Sequence, residues 1–180
     1  MKISVLRLGH RLPRDERITT HVGLVSRAFG ANEIIYSGQH DSGFERGLKK
    51  IAENWGAKFL VTYTTIPLKI AKEYRKKGYC LIHLTMYGIP LPEKIREIKK
   101  CAKVLIMVGA GQVPREFYDV ADFNISITNQ PHSEVAALAI MLDRLLSGSE
   151  LKRAFSKKFN GRLKIEPNEK NKIINIDKAS

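Results

Sequence analysis

Two cysteines and one tryptophan are all that 180 residues hold of those types. Cys80 and Cys101 both sit in apolar, strand-like context, which fits a reduced interior and argues against a disulfide-stapled secreted scaffold. No apolar run approaches the roughly 18 residues that a membrane span needs. Met1-Lys2-Ile3 leads into a strand rather than a signal peptide, so a soluble, cytoplasmic protein is expected. Internal repeats and low-complexity tracts are also missing. Acid is scarce: 18 Asp+Glu stand against 31 Lys+Arg, a net charge of +13 and a pI near 9.8. Such a field attracts phosphate polyanions or anionic lipid, and with no basic amphipathic helix evident, nucleic acid ranks before membrane.

What is present bounds the fold. A hydrophobic content of 43% supports a sizeable core and excludes a wholly disordered basic tail. At roughly 150 residues per domain, the chain is one domain with a short appendage. The excess charge gathers at the two ends. Residues 1–30 carry six cations against two acids, five of the six being Arg, and residues 147–180 carry nine, mostly Lys, against four. Arg is the side chain suited to bidentate phosphate contact.

Apolar runs alternate with helical patterns along the chain. Strands are expected at 3–8, 33–36, 59–63, 79–84, 103–108 and 124–128. Helices are expected from Thr20 as N-cap through Phe29, over 42–55 closed by Gly56, from Pro67 to Lys77, from Pro92 to Lys100 and over 133–146. This alternation implies an α/β fold with an open, mostly parallel sheet and helices on both faces. The run 103–108 is the most continuously apolar of the strands, as a strand at the sheet centre is. After Gly148 the composition turns to Lys and Asn, so 1–148 reads as the domain. Residues 149–180 read as a basic extension with a hairpin between 163–165 and 173–176.

In open parallel sheets ligands bind beyond the carboxyl ends of the strands. Three such loops stand out: 83–88, 109–114 and 129–134. Gly109 and Gly111 permit close backbone approach to a ligand, which is also what a tight turn needs. The third glycine of a dinucleotide fingerprint is missing, as is the Gly-Lys-Ser/Thr of a P-loop. In the third loop, a turn stiffened by Pro131 delivers His132 or Ser133 to a helix N-terminus, where N–H groups and the dipole favour anionic or carbonyl partners. Histidines at 10, 21, 40, 83 and 132 show no metal-ligand spacing, and neither cysteine has a positioned base, so no metal site or cysteine nucleophile is expected. Arg11, Arg14 and Arg17, spaced by three, lie in the polar loop at the same carboxyl edge and suit phosphate contacts.

Those segments resemble a known family. Leu6 to Arg11, Arg14-Asp15, Arg17, Thr19 to Val22 and Arg27 to Ala31 are similar to the N-terminal signature of the archaeal tRNA cytidine-56 2′-O-methyltransferases, as are 83–88 and 130–139 to later parts of that family. The resemblance covers residues 3–148. It implies the SPOUT superfamily fold with a C-terminal trefoil knot, a homodimer, tRNA as substrate and S-adenosylmethionine as methyl donor. It places the cofactor on Leu84, on Gly109, Ala110, Gly111, Gln112 and Val113, and on Ile127, Thr128, Asn129, Gln130, Pro131, His132, Ser133 and Glu134. It implies RNA contacts at Arg7, Arg11, Arg14 and Arg17. In the wider branch an Arg of the first helix acts near the ribose hydroxyl, but here Leu24 falls at that offset and Arg27 directly precedes Ala28-Phe29-Gly30. Arg14, Arg17 and Arg27 therefore stand as candidates at the hydroxyl, with Ser133 or Asn129 orienting the ribose. His10, His21 and His132 have a pKa range suited to proton transfer. Two other readings stay open: a non-catalytic basic RNA-binding α/β module, and a ribose methyltransferase acting elsewhere in RNA.

Overall fold

The computed structural model describes residues 1–109, 111–152, 155 and 157–177. Its architecture follows from its most apolar segment, β5 (Lys103–Gly109), in which Val104 to Val108 are all buried. Alternation sends Val104, Ile106 and Val108 to one face and Leu105 and Met107 to the other, so a helical layer has to cover each side. Around β5 lie β1 (Lys2–His10), β2 (Glu33–Gly38), β3 (Leu60–Thr64), β4 (Cys80–Pro90) and β6 (Phe123–Ser126), in the order β3-β2-β1-β5-β4-β6. Every neighbouring pair is parallel. Residues of α1 (Glu16–Ala28), α2 (Ser42–Trp55), α4 (Leu91–Ile98) and α6 (Glu134–Leu146) share the first core. Those of α3 (Pro67–Lys76) and α5 (Arg115–Val120) share the second.

Beyond shifts of one or two residues at other element ends, three features differ from expectation. Helix α1 begins at Glu16, not after Thr20, because Asp15 and Thr19 already donate their N–H groups to the carbonyls four residues back. This puts Arg14 at the helix entry and Arg17 in its first turn. Strand β4 does not stop at Leu84: it slips register against β6, with Leu84 and Ile89 both opposite Ile125, so residues 85–88 bulge from the sheet. Helix α5 was absent from the sequence reading, since six residues after Pro114 are too few to show a helical period.

Strands β7 (Leu163–Glu166) and β8 (Ile173–Ile176) pair antiparallel in a separate hairpin. The segment before them is tied to the end of α2. Gly56 (φ +79°) bridges to Asn160, and a Cβ on Gly56 would lie 1.7 Å from the Phe159 carbonyl oxygen, so the close approach requires glycine.

Candidate active site

The carboxyl ends of β4 and β5 and the entry to α6 enclose a cavity of about 630 Å³, within the range of small-molecule sites. Residues 83–87 form one wall. Val108, Gly109, Gly111, Gln112 and Val113 form the second, and His132, Glu134 and Ala137 the third, with Tyr118 from α5 completing the lining. The three loops singled out in the sequence thus meet at one place. The glycine loop is folded tightly on itself: a Cβ on Gly109 would come within 2.3 Å of Val113 Cγ2.

Of the expected cofactor residues, Leu84, Gly109, Gly111, Gln112, Val113, His132 and Glu134 line the cavity. Ala110 lies outside the described residues. Ile127 packs against the core, while Thr128, Asn129, Gln130, Pro131 and Ser133 are exposed and off the lining. Two of these have local work instead. Ser133 Oγ accepts the Val135 N–H as the N-cap of α6. Asn129 Nδ2 donates to the carbonyls of Met86 and Gly88, at 2.7 and 3.1 Å.

The arginines separate into two groups. Arg14 and Arg17 are exposed where β1 leads into α1, and among the described residues neither makes an ion pair. Arg11 is half-exposed, and its Nε donates to Asp15 at 2.9 Å. Arg7 and Arg27 depart from expectation. Arg7 shares a face of β1 with Ile3 and Val5 and is 0% exposed, so it is not a surface contact for RNA. Its Nη2 lies 3.2 Å from Glu134 and 3.8 Å from Asp15. Arg27 sits at the far end of α1, about 16 Å of helix from Glu16 at 1.5 Å per residue. There it is buried, donates to the Gly56 carbonyl and stacks over Phe159, so it braces the C-terminal segment and not the cavity.

A row of charges, Arg11–Asp15–Arg7–Glu134, exposed at Arg11 and buried at Asp15 and Arg7, therefore joins the exposed arginine loop to the cavity wall. Burial alone would raise the Asp15 pKa, but the Arg11 hydrogen bond and the neighbouring guanidinium charges outweigh it and hold Asp15 below its usual range. At Glu134 burial prevails over the opposing pull of Arg7, and its pKa is raised.

His83 escaped the sequence reading as a site residue, and so did Tyr118 and Thr85. Asn124 Nδ2 donates to the Tyr118 carbonyl, which leaves Asn124 Oδ1 as an acceptor facing His83 Nδ1 at 3.0 Å. That contact makes Nδ1 the protonated nitrogen and Nε2 the one with a lone pair. Burial lowers the His83 pKa, which keeps the ring neutral at physiological pH. His10 is buried against Thr19 and Asp41, outside the lining, and His21 is exposed on α1, so neither faces the cavity. The cysteines are half-buried, and burial pushes the Cys80 thiol up, away from nucleophilic character. Among the described residues no group of three His, Cys, Asp or Glu could hold a metal ion.

The sequence profile of a family described as tRNA ribose 2′-O-methyltransferase, aTrm56, matches residues 55–175. A protein of Methanothrix thermoacetophila is 49% identical over 174 residues, covering 97% of each chain. One of Thermococcus kodakarensis is 47% identical over 176 residues, covering 96% of each. One of Methanocaldococcus jannaschii is 45% identical over 183 residues, covering 100% of this chain and 99% of that one. All three are named tRNA (cytidine(56)-2′-O)-methyltransferase. Among solved structures, the A. aeolicus TrmH/SpoU tRNA modifying enzyme superposes with a TM-score of 0.65 at 14% identity, over 88% of this chain and 80% of that one. The SpoU methyltransferase AviRb from Streptomyces viridochromogenes, in complex with AdoMet, superposes with a TM-score of 0.60 at 13% identity, over 81% and 57%. At these identities the superpositions establish the shared fold.

Proposed function

The chain belongs to the aTrm56 family of tRNA ribose 2′-O-methyltransferases, and from that premise we propose how its residues carry the reaction. It methylates the ribose 2′-hydroxyl of cytidine 56 in tRNA, with S-adenosylmethionine as donor. The observation that carries this reading is the convergence of three loops on one cavity at the sheet edge where Arg14 and Arg17 stand exposed. A pure RNA-binding module has no use for such a cavity.

The residues present fit the cofactor. Leu84, Met86, Val108 and Val113 offer apolar walls for an adenine ring. The Glu134 carboxylate, whose Oε2 has no hydrogen-bond partner among the described residues, suits a cationic ligand, and the lone pair of His83 suits an amino group. S-Adenosylmethionine supplies the electrophilic methyl group when bound. The chain has to align the hydroxyl and stabilise the charge that develops on its oxygen. Arg14 and Arg17 clamp the phosphate beside the target ribose and stabilise that charge. Ser133 serves by capping α6 and thereby setting Glu134.

Three further expectations belong to the same reading. A homodimer forms through the outer sides of α1 and α6, where Ile18 and Ile140 are both 43% exposed. The chain between β5 and α6 is knotted in the manner of the SPOUT fold. The basic residues after Gly148 form an extension that adds salt-dependent, sequence-blind affinity for tRNA. No helix among the described residues is long and apolar enough to cross a membrane, and an enzyme acting on tRNA belongs in the cytoplasm.

Filling the cavity tests the cofactor's place. Ala137 is buried and its side chain borders the cavity, so Ala137→Phe occupies the space a ligand needs. Calorimetry should find S-adenosylmethionine affinity reduced at least 100-fold, with tRNA binding kept. Unchanged cofactor affinity would place the donor elsewhere.

A further inference from the structure

Tyr87 is 76% exposed, the highest value among the large hydrophobic side chains described, and it stands on the lining of the cavity. Its exposure does not come from a loosely held loop. Asn129 Nδ2 pins the carbonyls of Met86 and Gly88, one on each side of it. Gly88 lies against the backbone of Asn124 and Ile125, where an added Cβ would come within 2.6 Å. Thr85 Oγ1 contacts the Tyr118 hydroxyl at 3.1 Å and accepts the Tyr87 N–H at 3.4 Å. The backbone on both sides is thus fixed from α5, β6 and the 129–134 loop, while the ring is held in water. Of the other tyrosines, Tyr36 and Tyr79 are buried and Tyr63, Tyr74 and Tyr118 are half-buried.

An aromatic ring kept in water at a cavity mouth forgoes burial unless a flat partner covers it. The reaction supplies such a partner. A ribose reaches an enclosed methyl donor only if its nucleotide leaves the neighbouring stack, which costs a few kcal/mol. Single-stranded RNA is recognised largely by stacking its splayed bases on aromatic side chains. The net charge of +13 attracts the phosphate chain to the molecule, and a ring at the cavity mouth then meets the base next to the hydroxyl being modified. We propose that Tyr87 is a substrate-binding residue that stacks on the unstacked RNA base at the target nucleotide. The proposal rests on the methyltransferase reading of the cavity. It gives the 83–88 loop two tasks: its inner residues line the cofactor cavity and its tip holds the substrate.

Steady-state methylation of a tRNA transcript by wild type, Tyr87→Ala and Tyr87→Phe tests it, alongside cofactor calorimetry and sedimentation of each protein. Tyr87→Ala should lower kcat/KM for the transcript about tenfold, as loss of about 1.4 kcal/mol of stacking does. KM should carry most of the loss. Tyr87→Phe should restore at least half of the wild-type value, because the ring face and not the hydroxyl does the stacking. Cofactor affinity and oligomeric state should be unchanged in both. A Tyr87→Ala enzyme within twofold of wild type would overturn the proposal. So would a loss traced to weaker cofactor binding, or to a dimer that falls apart, since Tyr87 would then cover the cofactor or a second copy of the chain. If wild type itself transfers no methyl group, the underlying functional reading fails instead.

Discussion

Replacing Arg7 with methionine lowers stability by about 3–5 kcal/mol, because it leaves the largely buried Glu134 carboxylate without a cation and Asp15 with Arg11 alone. Arg7 Nη2 lies within reach of Glu134 (3.2 Å) and Asp15 (3.8 Å), and among the described residues Arg7 Nε and Nη1 and Glu134 Oε2 have no hydrogen-bond partner. For a chain of this length each kcal/mol is worth roughly 2–4 °C in Tm, so a fall of about 10 °C is expected in thermal unfolding. The pH dependence has a definite sign. Glu134 already has a raised pKa through burial, opposed by Arg7; without Arg7 it rises further. A carboxyl whose folded pKa exceeds its unfolded value takes up a proton more readily when folded. Its contribution is therefore present at low pH and lost as pH rises through the folded pKa. The Arg7→Met defect should accordingly be larger at pH 8 than at pH 5. The double variant Arg7→Met/Glu134→Gln should recover much of the loss, since no unpaired charge then remains between β1 and α6. Wild-type stability in Arg7→Met would show that the pair has no such role.

The second large effect concerns rate. Arg14→Ala/Arg17→Ala should lower kcat/KM for tRNA about 1,000-fold. Each guanidinium contributes a charge-assisted contact of about 1.5–3 kcal/mol, exerted on phosphate and on the developing oxyanion. Both side chains are exposed, so Tm should stay within the small range of surface substitutions, and cofactor affinity should not change. Arg27→Ala should behave in the opposite manner. Its guanidinium binds the Gly56 carbonyl and Phe159, far from the cavity, so stability falls and the chemical step does not. Near-wild-type rates in the Arg14/Arg17 variant would remove both residues from the reaction.

These contrasts show where sequence reading works. The parallel sheet was legible because Val104 to Val108 of β5 are apolar without interruption, a pattern only a doubly covered strand tolerates. The end of α2 was legible because Gly56 closes it, leaving the helix at positive φ; its start is set by Asp41, whose carboxylate accepts the Phe44 N–H. The three loops were legible through the rule that parallel strands bind ligands at their carboxyl ends.

Other features hid for physical reasons. Arg7 keeps step with Ile3 and Val5, so its period of two marks it as inward-facing. A charged side chain nevertheless reads as surface until its partners, distant in the chain, are known. The bulge at 85–88 depends on a register slip against β6, which no local pattern records. The proton position on His83 is set by Asn124, itself oriented by Tyr118 on a helix too short to announce itself. The exposure of Tyr87 is likewise a property of the folded edge, since the composition of its loop is that of an ordinary strand end.

The central claim is that this cavity and its arginine edge deliver one methyl group to one ribose. It is tested most directly by incubating the purified protein with S-adenosylmethionine and an unmodified tRNA transcript, then locating the product by mass spectrometry of nuclease fragments. The account predicts a single methyl group on the 2′-oxygen of cytidine 56, absent when that nucleotide carries a 2′-deoxyribose. A methyl group on a base, on another nucleotide, or on none would contradict it.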